Sequence, residues 1–182
     1  MDIRAVALQP IAGTDVGTLS VSVNYANNAE YAATMQKVLG DAGWQDFYAR
    51  TGASGASQLV ETSVFSDLDP SFQPAADRPL GVLLATQWRA RPGRMADLVA
   101  AITTSAAHIE RMGGAPRAMQ SVIGAHPMTM ITTIAFADLD AYGTYSDKLA
   151  GDGQWQAFWA DAMADPSAEL IRSGVYINIS DA

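Results

Sequence analysis

A chain of 182 residues, 49% apolar and 16% charged, can bury a real core and is neither disordered nor a charged coiled coil. Nineteen acidic and eleven basic residues give a net charge of −8 without a dense basic patch, which argues against a nucleic-acid partner, and the absence of cysteine excludes disulfides and thiolate chemistry. No apolar run reaches the length of a membrane span, and MDIRAVALQP has no basic region followed by an apolar core, so a cytoplasmic protein with no membrane partner is expected.

Along the chain, short β-branched runs at Ala5–Ile11 and Thr18–Tyr25 predict a hairpin. Helices are expected over Asn28–Leu39 and Ala42–Arg50, and a strand over Leu59–Ser66. The Gly-rich TGASGAS between them follows a helix and precedes a strand, the wrong context for phosphate binding, and reads as a flexible loop. DLDPSFQPAADRPL, with Pro70, Pro74 and Pro79, reads as a linker. The strand GVLLATQWRA follows, then an RPGR turn and a helix from Arg94 to Met112. That helix carries a stripe of Met95, Leu98, Val99, Ile102, Ile109 and Met112, and Gly113-Gly114 ends it. RAMQSVIG and MTMITTIAF predict a second hairpin. Asp138 then caps a helix through Ala150, and Gly151 interrupts it before a piece with Trp155, Phe158, Trp159 and Met163 on one face. A final strand spans Leu170–Asn178.

Shifting the chain by 111 positions lays residues 1–71 on 112–182 without a gap. Identities fall at Gln9/Gln120, Gly13/Gly124, Tyr31/Tyr142, Lys37/Lys148, Asp41/Asp152, Trp44/Trp155 and Phe47/Phe158, among others. These are positions that pack or punctuate structure, and the expectation is an internal duplication. The division is 1–68 as a partial ββαβ repeat, 69–80 as linker, and 81–182 as a full βαββαβ ferredoxin-like repeat. The first repeat starts at its second strand and lacks its own first strand and helix.

The segments QWRARPGRMADLVA and FADLDAYGTYSDKLAGDGQWQAFWADAM, with ELIRSGVYINI, resemble the dimeric α/β-barrel superfamily, within it the NIPSNAP-like and antibiotic-biosynthesis-monooxygenase-like groups. The resemblance implies an α+β fold: two ferredoxin-like repeats, each an antiparallel sheet with helices on one face, fused as an intrachain barrel. It is informative about fold and weak about function. Haem-binding members carry a histidine on the second helix of the repeat; residues 138–163 have none, so no haem or other cofactor is expected. The incomplete first half implies a short sheet, cover from another subunit, or a start assigned too far downstream; a homo-oligomer is expected.

Candidate chemistry is sparse. His108 reads as an exposed helix residue and His126 as a turn residue, with no neighbours at metal-ligand spacing. Polar residues inside strands need partners or a ligand, which singles out Gln87 and Arg89, the repeat-related Gln9 and Gln120, and, beside them, Trp88 and Tyr176. For Gln9 and Gln120 structural hydrogen bonding is the favoured reading. Glu61 and Arg172 occupy equivalent positions with opposite charge, so they are expected to pair across a pseudo-twofold axis. Two functions follow. One is a non-catalytic binding or assembly protein, NIPSNAP-like, with a small apolar molecule as a candidate ligand. The other is a cofactor-independent monooxygenase, isomerase or cyclase acting on an aromatic or polyketide-like substrate in the barrel cavity.

Overall fold

The computed structural model describes residues 5–13, 15–72 and 80–180. Its elements are β1 (Ala5–Gly13), β2 (Ser20–Val23), α1 (Asn28–Gly40), α2 (Ala42–Ser54), β3 (Val64–Asp67), β4 (Val82–Ala90), α3 (Met95–Arg111), β5 (Ala115–Ile123), β6 (Met130–Phe136), α4 (Leu139–Gly151), α5 (Gly153–Ala164) and β7 (Ala168–Asn178). The strands form one curled antiparallel sheet in the order β2-β1-β7-β4-β6-β5-β3. This is an α+β fold, and its four strands β7-β4-β6-β5 have the split-βαβ order read from residues 81–178.

Each helix pair begins as its sequence dictates. Asn27 and Asp138 accept from the amides of Glu30 and Ala141, while Asp41 and Asp152 accept from Trp44 and Trp155, both at 2.7 Å. The Thr51–Ser54 part of the expected loop is instead the last turn of α2, and Gly55 ends it in the left-handed conformation. Strand β3 is shorter than expected: its apolar lead-in, Leu59 and Val60, lies open to solvent at 67% and 79% and pairs with no strand among the described residues. Of the linker, Pro74 and Pro79 lie outside the described residues.

Several rungs of the sheet ladders recur at a shift of 111 residues. Ala12 pairs with Val175 and Pro10 with Tyr176; the shifted partners are Val64 with Ile123 and Phe65 with Ser121, each pair of rungs flanking a bulge. The β1–β2 rungs Val6↔Ser22 and Leu8↔Ser20 map likewise onto Arg117↔Thr133 and Met119↔Ile131. Gly13 and Gly124 leave these strands at φ +107° and +139°. A side chain at Gly13 would meet the Ser173 carbonyl oxygen at 2.2 Å, and one at Gly124 the Ser63 side chain at 2.1 Å, so glycine is required at both.

Strand alternation divides the core between the two faces. Val82, Ile134, Phe136 and Val175 point to the helices and pack with Ile109, Met112 and Tyr145. Leu98, Ile102 and Met130 extend that layer around Trp88. On the other face, Val6, Leu8 and Tyr176 pack against Leu83 and Ala85. This helix-free face is the concave one. Arg117 on β5 donates to Asn24, just beyond β2, at 2.9 Å, although four strands separate β5 from β2 in the sheet.

Candidate functional site

The concave face carries a set of polar residues tied to one another. Gln87 is 2% exposed; its Nε2 donates to Thr129 Oγ1 at 2.7 Å, and its Oε1 accepts from Arg172 Nε at 2.7 Å. Arg172 Nη1 then donates to Glu61 Oε2 at 3.1 Å, the pairing expected from the two equivalent positions. Ser63 Oγ donates to Glu61 Oε1 at 2.5 Å. That hydroxyl, followed by the charge and hydrogen bond of Arg172, lowers the Glu61 carboxyl below its ordinary pKa against an opposing burial effect. Thr129 passes the chain on to the His126 carbonyl at 2.7 Å, and Thr18 makes the equivalent bond to the Asp15 carbonyl at 2.7 Å.

Two further clusters sit on the same face. Arg117 forks to both carboxylate oxygens of Asp67, at 2.7 and 2.8 Å, and lies over the Phe72 ring at 4.7 Å. The Tyr176 hydroxyl donates to Asp15 Oδ2; burial first, then that carboxylate, raises the phenol well above its ordinary pKa and keeps it protonated. Neither Arg117 nor Asp15 was singled out by the sequence reading. The available signal for Arg117 was a charge inside an apolar strand, 111 positions after Val6.

The six expected site residues are not brought together. Gln87 and Tyr176 share the concave face, on neighbouring strands. Trp88 is on the helix side, where its indole donates to Thr132 at 3.2 Å and meets Trp159 edge-on. Arg89 is exposed beyond a bulge, opposite Glu169. Gln9 is exposed on the face away from Val6 and Leu8, and Gln120 donates to Met128 Sδ at 3.7 Å. His108 is half-buried rather than exposed, because its ring packs on Trp155 and Phe158 of α5.

On the helix side, a shallow groove of about 330 Å³ is lined by Ala12, Gly13, Leu84, Tyr142, Ser173, Gly174 and Val175. Among the described residues no group of three His, Asp or Glu side chains could hold a metal ion, and no helix is long and apolar enough to cross a membrane. No family model and no curated protein matches the sequence.

Proposed function

We propose that this chain is a non-catalytic assembly module of the dimeric α/β-barrel type, NIPSNAP-like, made of two fused repeats whose concave faces hold each other through ion pairs. One observation carries the reading: the polar groups of that face are spent on one another. Among the described residues, no buried side-chain nitrogen or oxygen lacks a hydrogen-bond partner. Arg172 is committed to Gln87 and Glu61, Arg117 to Asp67 and Asn24, and Tyr176 to Asp15. A catalytic acid or base needs a face turned to substrate, so the monooxygenase, isomerase or cyclase reading has less support. The repeat reading draws on the identical shift in sequence and in ladder register.

A second reading, a carrier for a small apolar molecule, is favoured by the groove beside Leu84, Tyr142 and Val175. Native mass spectrometry of freshly purified protein separates the two. The assembly reading expects the bare chain mass in each subunit. A stoichiometric small molecule retained on the protein, and lost on replacing Ala12, which lines the groove opposite Val175, by leucine, would favour the carrier instead.

A further inference from the structure

What covers the second half of the sheet identifies what the first half is shaped to receive. Strand β4 lies between β6 and β7, paired on both sides. Behind it, α3 lays Ile109 and Met112 against Tyr145 and sets His108 on Trp155 and Phe158. Its last turn is fixed by charge. Arg111 forks to both oxygens of Asp152 at 2.7 and 2.8 Å, and Lys148 Nζ donates to the Met112 carbonyl at 3.4 Å.

Shifted by 111, the receiving elements are β2, β3, α1 and α2, with Lys37, Asp41, Trp44 and Phe47 in place of Lys148, Asp152, Trp155 and Phe158. Among the described residues, β2 and β3 are the two edges of the sheet. The face beside them is open: Val21, Leu39 and Phe47 are 65%, 67% and 50% exposed, and no residue of α2 is buried. Asp41 is already set as Asp152 is, with its Oδ1 on the amide of Trp44.

We propose that this face is a docking site for another protein that supplies a β-strand followed by an amphipathic helix ending in arginine. The strand adds to the free backbone edges of β2 and β3, which gives affinity without demanding side chains. The helix lays its apolar stripe on Trp44 and Phe47. Its arginine meets Asp41, and Lys37 receives its last carbonyl, in the geometry that Arg111, Asp152 and Lys148 already adopt. A second copy of this chain is not the occupant, because its one comparable segment is held inside its own sheet. The proposal rests on the assembly reading above and names its partner's chemistry.

The probe is a synthetic peptide of residues 82–112, titrated calorimetrically into the full chain, with amide exchange followed on β2 and β3. One peptide is expected per chain, with edge amides gaining protection. Asp41→Lys should weaken binding at least tenfold, and a peptide carrying Arg111→Glu should recover it on that variant. Absence of binding, or binding indifferent to Asp41→Lys, overturns the proposal. So does self-association of the chain alone that Trp44→Ser abolishes, which would make a second copy the occupant. Failure of the assembly reading appears elsewhere, as a small molecule retained in native mass spectrometry, and leaves this titration untouched.

Discussion

A buried primary amide is tolerated only where neighbouring strands supply both a donor and an acceptor, and Gln87 finds them in Arg172 and Thr129. Gln87→Leu keeps roughly the volume and leaves the Arg172 guanidinium short of an acceptor. The expected loss is about 1–3 kcal/mol, read as a lower denaturation midpoint at constant slope. Met128 presents the opposite case. It holds φ +63° in the β5–β6 turn, and Gly17, 111 positions earlier, holds φ +97°. A side chain in the left-handed region costs about 1 kcal/mol, and Met128 is 63% exposed, so little packing offsets that cost. Met128→Gly is therefore expected to raise the thermal midpoint by about 2–4 °C. An unchanged or lower midpoint would show that the unfolded-state entropy of glycine outweighs the relief of strain.

At the scale of elements, two helices of nearly the same wording differ in what lies over them. In α5, Trp155 and Phe158 are half-buried beneath His108, whereas in α2 the ring neighbours of Trp44 are Phe47 and Tyr48 of its own helix. Identical wording alone would have both helices pin their Trp and Phe to the sheet. Trp44 at 41% exposed does not, because the helix that would cover it has no counterpart among the described residues. Trp155→Ser should accordingly cost about 2–3 kcal/mol, and Trp44→Ser about 1 kcal/mol less, measured by urea denaturation of both variants. The caps at Asp41, Asp138 and Asp152 and the stripe of α3 were legible in the sequence, since they are set within one turn of helix. The shortness of β3 was not: Leu59 and Val60 have the composition of a strand, and only the end of β5 decides where pairing stops. The face of Trp88 followed from alternation once Gln87 was placed, but nothing local could join Arg117 to Asn24 across 93 residues.

For the whole molecule, the Glu61–Arg172 contact is the one ion pair between residues 111 positions apart, among those described. On the proposed reading of two fused repeats, the two positions can carry opposite charges, whereas the axis of a homodimer would place the same residue on both sides. Glu61→Arg and Arg172→Glu are each expected to destabilise the fold, and the double exchange to recover about 0.5–3 kcal/mol of the summed loss. Failure to recover would remove this pair from the forces joining the halves. The same contact sets a pH dependence whose sign follows from linkage. Glu61 is depressed in the folded chain, so its contribution is present above the ordinary glutamate pKa of about 4.3 and is lost as pH falls through the lower folded value. Glu61→Gln has no carboxylate to protonate. Between about pH 5 and pH 3 it should therefore lose less stability than the parent, although it is the weaker of the two at neutral pH. Parallel acid titrations of the unfolding midpoint test this: curves that fall together would place the acid sensitivity in other carboxylates, Asp152 foremost, whose pKa Arg111 holds low.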